Sequence, residues 1–273
     1  MTELLHANLF RLRRDRAFQL CIAAVLALSA GMMVVWGREH LARGFADGLE
    51  YYYFRVTIVL GLFQSVFGGL FLNTEYSEGT VRNKLSVGHT RREVYLAHFL
   101  TVLLASMLML LAWAIGSCAG IPFVGTWRIG FGKLALYILL TAAFTTVFAA
   151  LVTFIGVLCT GRAAMVAVVL VYFALLLAAG NVDNALSEPE FVEGILMTID
   201  GVQVPNPEPN PRYLTETVRP VYEFILDLLP VGQAAQVQGM RAAHPLRMLI
   251  CDVVETLALT LGGLALFRKK DLK

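Results

Sequence analysis

Six stretches of the chain are apolar over roughly 20 residues each, and they limit the fold more than any other feature of the sequence. A helix of about 20 apolar residues crosses a bilayer, and lipid offers no hydrogen-bond partner to backbone groups outside a helix or a closed barrel. The sequence therefore predicts an all-α membrane protein with six transmembrane helices in a single domain, residues 17–273. The predicted spans are residues 17–36, 52–72, 94–118, 134–159, 163–180 and 248–267.

The composition agrees with this class. Hydrophobic residues make up 58% of the chain and charged residues 15%, whereas about a quarter of an ordinary soluble domain is charged. The excess apolar surface has to face lipid. The net charge of +2 is too small to indicate a nucleic-acid partner. The four cysteines lie in or beside apolar stretches and form no CxxC or Cys/His pattern, so nothing indicates a metal site or disulfides.

Residues 1–16, before the first span, place Leu5, Leu9 and Leu12 on one helical face. This pattern predicts an amphipathic helix in the membrane interface, with its arginines near anionic headgroups. The alternative is a solvated, frayed terminus. For the first span, the alternative is a signal peptide, but the span is about 20 residues long and no small-x-small cleavage site follows it. We therefore expect a retained helix.

Lys and Arg residues near the helix ends indicate the orientation, because cytoplasmic loops carry an excess of them. A cytoplasmic amino terminus puts thirteen on the inner side: Arg11, Arg13, Arg14, Arg16, Arg82, Lys84, Arg91, Arg92, Arg162, Arg268, Lys269, Lys270 and Lys273. The short outer loops and their flanks hold five: Arg38, Arg43, Arg55, Arg128 and Lys133. The pattern predicts that both termini are cytoplasmic and that residues 181–247 form a large extracellular loop between spans five and six.

The polar segment between spans two and three, NTEYSEGTVRNKLSVGHTRR, is the largest predicted cytoplasmic loop. Ser77 is a suitable helix N-cap, and Gly88 suits the left-handed residue that ends a helix. Thr90 and Glu93 have the spacing of a capping box at the start of span three. These signals predict a short helix over 77–88, which is either a solvated connector or a docking element.

This loop also carries a resemblance to a known family. The run EYSEGTVRNKLSVGHTRREVYLA resembles the segment after the second helix of ABC-2 type permeases, especially the bacterial branch of bacitracin and lantibiotic self-protection exporters. The opening LLHANLFRLRRDRAF, the ending LALFRKKDLK and the LLPVGQ before the last span are similar to that branch as well. The matching positions in the loop are Glu75, Tyr76, Gly79, Thr80, Arg82, Asn83, Lys84, Gly88, Arg91 and Tyr95.

The resemblance implies a permease subunit of an ATP-driven exporter in a bacterial plasma membrane. The implied substrates are peptides, drug-like or other amphipathic molecules, and the implied physiological role is resistance to antimicrobial peptides. It implies a second permease, identical or homologous, and two copies of an ABC ATPase subunit that holds ATP and Mg²⁺. The helix at 77–88 would be the coupling helix to that ATPase. The implied coupling residues are Glu75, Tyr76, Glu78, Gly79, Thr80, Arg82, Asn83, Lys84 and Arg91.

The chain itself carries no sign of catalysis. Gly120 and Gly125 have the glycine spacing of a phosphate-binding loop, but Thr126 and Trp127 follow instead of Lys and Ser or Thr. No HExxH or GxSxG motif occurs and the five histidines are scattered, which disfavours a membrane enzyme. We expect no metal and no cofactor bound by this chain.

Polar residues inside the predicted spans leave one alternative function, a proton-coupled secondary transporter. Asp252 and Glu255 lie near the outer end of the last span, shallow enough to reach water, where the helix dipole also favours acids. Against this alternative, no inverted repeat is visible. Gln64, Ser65 and His98 are further candidates for a substrate path or for hydrogen bonds between helices.

Two weaker patterns concern packing and the outer loop. Gly116 and Gly120 match the GxxxG spacing of closely packed membrane helices. Alternating prolines from Pro205 to Pro211 favour extended backbone in the outer loop. That loop is either a lid or receptor at the exit, or a cover that only joins spans five and six.

Overall fold

A computed structural model describes residues 1–44, 48–55, 57–125, 127–159, 162–193, 197–199, 202–204 and 207–270. Within these ranges the helices are α1 Thr2–Arg14, α2 Arg16–Arg43, α3 Leu49–Phe54, α4 Thr57–Ser77, α5 Thr80–Ser86, α6 Arg91–Ser117, α7 Ile121–Val124, α8 Phe131–Leu158, α9 Arg162–Ser187, α10 Arg219–Leu228, α11 Pro230–Gln238 and α12 Pro245–Lys269. A 3₁₀ turn, Cys118–Gly120, joins α6 to α7. The strands are β1 Phe191–Glu193, β2 Met197–Ile199, β3 Val202–Val204 and β4 Pro207–Pro209.

Six helical segments in the described part of the chain are long and apolar enough to cross a membrane. The prediction of an all-α membrane protein with six spans is therefore confirmed. Each segment is longer than its predicted apolar stretch, because flanking residues continue the helix at one or both ends. The segments are Arg16–Arg43, Leu49–Ser77, Arg91–Val124, Phe131–Leu158, Met165–Ser187 and Pro245–Lys269.

The α8 helix lies at the centre of the bundle and packs against α4, α6, α9, α11 and α12. Its buried face carries large apolar side chains, among them Leu140, Phe144 and Phe148, which lie in the main hydrophobic core. By contrast, α2, α9 and α12 leave most of their apolar surface uncovered. Such surface is stable only against lipid or another membrane helix.

The α1 helix packs along α6, and its buried face differs from the predicted stripe. The buried residues are Leu4, Asn8 and Leu12, whereas Leu5 and Leu9 are only partly buried. The stripe is rotated because Asn8, a polar residue, turns inward to hydrogen-bond partners described below. At the end of α1, the Asp15 carboxylate accepts a hydrogen bond from Phe18 N at 2.8 Å and starts α2.

Close approach of α2 and α6 depends on the two glycines of the GxxxG pattern. A Cβ atom at Gly116 would lie 2.7 Å from the backbone oxygen of Leu26, and one at Gly120 would lie 2.9 Å from the Met33 side chain. Any larger residue at Gly116 would therefore push the two helices apart. The prediction of close helix packing at this motif is confirmed, and the partner is α2.

The segment between α9 and α12 is partly folded. The β1 strand pairs antiparallel with β4, and β2 pairs antiparallel with β3. The extended backbone predicted for Pro205 to Pro211 is present at Pro207 and Pro209, in β4, whereas Pro211 lies in a turn and Pro205 lies outside the described residues. The α10 helix ends at Leu228, and α11 begins at Pro230 and packs against α8 and α9.

Candidate functional site at the end of the second span

The chain leaves the second span through a tight turn at Gly79. Its φ of +67° lies in the left-handed region, which favours glycine, and it is the residue before α5. Ser77, predicted as the N-cap of this helix, is instead the last residue of α4, and its hydroxyl donates to the Thr74 carbonyl oxygen at 3.2 Å. The helix predicted over 77–88 is therefore shorter, Thr80–Ser86, because α4 continues until the glycine allows the chain to turn.

The other predicted local signals of this segment are confirmed. Gly88 has a φ of +102° just beyond the end of α5. Thr90 and Glu93 form a capping box at the start of α6: Thr90 N donates to Glu93 Oε2 at 2.9 Å, and Glu93 N donates to Thr90 Oγ1 at 3.2 Å. The turn before α5 and this capping box fix where the short helix lies between the two spans.

The central residue of the site is Glu75, which is 2% exposed. Its Oε1 accepts a hydrogen bond from Arg11 Nη1 at 2.5 Å, and Lys84 Nζ donates to Oε2 at 2.6 Å and to Oε1 at 2.8 Å. His98 Nε2 lies 2.9 Å from Oε2. These four residues, here called the Glu75 cluster, come from four different helices: α4, α1, α5 and α6.

The Glu75 cluster is a buried ion-pair network. A carboxylate taken out of water without partners is strongly destabilised, so Glu75 depends on its ion pairs with Arg11 and Lys84. Arg11 is held further by a bond from Nη2 to the Phe71 carbonyl oxygen at 2.7 Å and by stacking over the Phe71 ring at 4.2 Å. A relative shift of any one helix would leave a buried charge without its partner.

A hydrogen-bonded pair of polar residues extends the cluster between α1 and α6. Lys84 Nζ donates to Asn8 Oδ1 at 2.9 Å, and Asn8 Nδ2 donates to Thr101 Oγ1 at 3.3 Å. Sequence reasoning missed Asn8, although the signal was present. Asn8 lies midway between Leu4 and Leu12 at a spacing of four residues, so it belongs to the same helical face as two buried leucines.

The face of α5 that points away from Glu75 is open to solvent. Val81 is buried beneath the helix, whereas Arg82 and Asn83 are exposed, as is Glu78 just before it. Val87, at the end of the helix, is 80% exposed. Arg82 makes no ion pair with any residue that the structure describes. The predicted coupling residues thus divide into two sets, one directed into the protein and one directed out of it.

A groove of about 340 Å³ runs beside this exposed face, between α1 and α5. It is lined by Glu3, Leu4, Ala7, Asn83, Lys84, Val87 and His89. Lys84 lines the groove and also donates a hydrogen bond to Glu75, so a single side chain connects the groove to the buried carboxylate. A partner seated in the groove would therefore contact the Glu75 cluster almost directly.

The other predicted coupling residues support the local backbone. Thr80 Oγ1 donates to the Glu75 carbonyl oxygen at 2.8 Å, which ties the start of α5 to the end of α4. Arg91 Nη1 donates to the carbonyl oxygen of Lys270 at 2.5 Å, so the start of α6 holds the end of α12. The Lys270 ammonium lies 5.2 Å above the Tyr76 ring, and burial lowers the pKa of this lysine.

Comparison with known families agrees with this architecture. The family model described as ABC-2 family transporter protein matches residues 4–178, more than half of the chain. The chain belongs to the ABC-2 transporter family. It is a permease component of an ABC transporter, a multi-pass membrane protein and not itself the catalytic component. No curated protein matches its sequence.

The match includes every member of the Glu75 cluster, and it ends within α9, before the segment that joins α9 to α12. Among the side chains that the structure describes, the permease has no group of three or more His, Cys, Asp or Glu that could hold a metal ion.

Two of the polar residues predicted within spans lie away from the cluster. Gln64 and Ser65 are buried in α4, and Gln64 Oε1 has no hydrogen-bond partner among the described residues. They precede Glu75 by about three helical turns, or roughly 15 Å. His98 instead belongs to the cluster, where it bonds α6 to α4. The structure therefore does not bring these candidates together in one path.

The carboxylates of the last span are more deeply buried than predicted. Asp252 is 2% exposed, and neither of its oxygens has a hydrogen-bond partner among the described residues; Glu255 Oε2 is unpartnered as well. The expectation that both acids reach water is therefore wrong for Asp252, which lies buried beside the Gln233 side chain of α11. Nearby Asp227, by contrast, accepts a hydrogen bond from Arg247 Nε at 2.5 Å.

Proposed function

We propose that this ABC-2 permease exports a peptide, drug-like or other amphipathic molecule, and that two copies of a separate ABC ATPase drive it through α5 as the coupling helix. The observation that carries this proposal is the two-sided character of α5. Lys84 binds it to a buried carboxylate on one side, and Arg82, Asn83 and Val87 are exposed on the other.

The charge network supports a mechanism for coupling. A push on α5 would move Lys84, and the ion pair with Glu75 would pass the displacement to the end of α4. From Glu75 the bond to His98 reaches α6, and the bond to Arg11 reaches α1. Since breaking any of these pairs leaves a buried charge, the helix ends would move together between two packings of the bundle.

The exposed residues of α5 favour a particular type of contact. Val87 offers an apolar point of contact, and Arg82 offers a cation that no described residue neutralises. A complementary surface on the ATPase would have an apolar pocket with an acidic rim. ATP and Mg²⁺ would be held by that partner.

The proposed assembly contains a second permease, identical or homologous, in a bacterial plasma membrane with both termini in the cytoplasm. The excess of basic residues on the proposed inner side supports this orientation. The uncovered apolar faces of α2, α9 and α12 provide surface for a second permease as well as for lipid. Resistance to an antimicrobial peptide is the physiological role that the sequence resemblance favours.

The decisive experiment changes the exposed face of α5 without touching the buried one. We expect Arg82→Glu combined with Val87→Asp to abolish co-purification with the ATPase and ATP-dependent transport, while the melting temperature of the purified permease stays unchanged. Arg38→Glu makes the same charge reversal as Arg82→Glu at an exposed site on the proposed outer side, so it is the matched control for that substitution and should preserve both activities. Normal assembly and transport by the double variant would refute the role of α5.

The alternative, a proton-coupled carrier, rests on the unpartnered carboxylates of Asp252 and Glu255. Transport by the permease alone in vesicles with an imposed pH gradient would favour it, especially if Asp252→Asn removed that transport. We expect no transport under these conditions, because the family architecture relies on a separate ATPase.

A further inference from the structure

An apolar groove of about 560 Å³ lies between α1, α2 and α6. Its apolar lining comes from Leu9, Leu12, Phe18, Ile22, Leu104 and Leu108. Leu104 and Leu108 are exposed on α6, so the groove opens on the surface that faces the membrane. Its volume lies within the roughly 300–1,000 Å³ typical of sites for small ligands.

The charged end of the groove is basic. Of its lining residues, only Arg13 and Gln19 are polar, and no Asp or Glu lines it. The Arg13 guanidinium is exposed and has no ion-pair partner among the described residues. Gln19 Nε2 donates to the Arg13 carbonyl oxygen at 2.9 Å, which holds the two polar residues side by side. The site is thus a long apolar surface with a cation at one end.

We propose that this groove binds one anionic phospholipid, with an acyl chain against α6 and its phosphate at Arg13. The apolar groove matches the chain, and the unpaired guanidinium matches the negative headgroup in charge and geometry. The amphipathic α1 helix lies along the groove, at the level where lipid headgroups meet water in the proposed orientation. A ligand without a long apolar part would leave most of the groove empty.

The bound lipid would have a consequence for the Glu75 cluster. Leu12 lines the groove and follows Arg11, which holds Glu75. A lipid that fills the groove would contact both α1 and α6, bridge the two helices and help to keep Arg11 in place. Anionic lipid would then stabilise the contact between α1 and the coupling helix. This last step rests on the proposed function, whereas lipid binding itself does not.

Native mass spectrometry of the full-length permease, without any ATPase, tests the binding. The probes are phosphatidylglycerol and phosphatidylcholine with identical acyl chains. We expect Arg13→Gln to weaken phosphatidylglycerol binding by roughly fivefold and to leave phosphatidylcholine binding unchanged. The control is Arg14→Gln, because the Arg14 guanidinium stacks on the Phe10 ring at 4.1 Å and does not line the groove. It should change binding by less than about twofold.

A second pair of variants tests the apolar part. Leu108→Trp should fill the groove and reduce binding of both lipids, whereas Leu111→Trp, at an exposed site of the same helix outside the groove, should not. Equal effects of Arg13→Gln and Arg14→Gln would overturn the proposal. So would unchanged binding in Leu108→Trp, or a groove that retains uncharged amphiphiles with no preference for the anionic lipid. If lipid binding persists while the α5 variants leave transport intact, only the proposed coupling role fails.

Discussion

The imidazole of His98 and the carboxylate of Glu75 join the third span to the second, with Nε2 and Oε2 2.9 Å apart. Both residues are almost fully buried. Because an ionised carboxylate can only accept, His98 Nε2 carries the hydrogen and donates it. The other ring nitrogen, Nδ1, has no partner among the described residues. The bond thus fixes the tautomer of His98 and the rotation of α6 relative to α4.

Glu75→Gln should destabilise the permease by about 3–5 kcal/mol, since it removes the carboxylate that pairs with both Arg11 and Lys84. Thermal unfolding of the purified protein, followed by tryptophan fluorescence, measures the effect. Glu78→Gln removes an exposed carboxylate three residues later and should leave the unfolding temperature unchanged. Similar unfolding temperatures for the two variants would show that Glu75 does not hold the four helices together.

Gly79→Ala should cost about 1 kcal/mol or more, because its φ of +67° lies where residues with a Cβ are strained. We also expect weaker coupling, measured as ATPase stimulation by substrate, since the strain falls on the turn that orients α5. Gly130→Ala is a suitable control, because Gly130 has a φ of −62° and open space around its Cβ position. Full stimulation in Gly79→Ala would argue against a fixed orientation of α5.

Gly116→Leu should separate α2 from α6 and destabilise the fold by several kcal/mol, since backbone atoms of α2 cannot move out of the way. Gly132→Leu, at a position where a Cβ meets nothing within 4 Å, should be tolerated. The yield of monodisperse protein in size-exclusion chromatography distinguishes the two. Equal yields would mean that the GxxxG contact is not tight in the membrane.

Two buried aspartates, one in α10 and one in α12, should respond oppositely to the same substitution. Asp252→Asn replaces an unpartnered buried carboxylate beside Gln233 with a neutral amide, and we expect a gain of about 1–3 kcal/mol in the free energy of unfolding. Asp227→Asn weakens the pair with Arg247 and should lower it. A loss of stability in Asp252→Asn would indicate a partner for Asp252, such as a bound cation.

The six spans could be predicted from sequence because a continuous run of about 20 apolar residues is enough to indicate a transmembrane helix. The capping box at the start of α6 could also be predicted, because Thr90 and Glu93, which form it, are only three residues apart. The Glu75 cluster could not be predicted in this way. Arg11 and Glu75 are 64 residues apart, and nothing in either local sequence indicates that α1 packs along α6 and reaches α4 through the Arg11 side chain.

Burial explains the remaining differences from the sequence-based predictions. Asp252 looked shallow because it lies in the second turn of its helix, but depth along a helix does not reveal which neighbour covers it. Ser77 looked like an N-cap because the apolar stretch ended at residue 72, yet the helix continues through polar residues until Gly79. Both errors come from judging one segment without its packing partners.

The order of the Glu75 cluster along the chain bears on how the protein is made. A ribosome synthesises Arg11 before Glu75, and Lys84 follows only nine residues later, so both cations accompany the carboxylate as the second helix leaves the insertion machinery. His98 arrives last, with the third helix. Glu75 can therefore pair with both cations before α6 is made, and the imidazole of His98 completes the cluster only when α6 packs against α4.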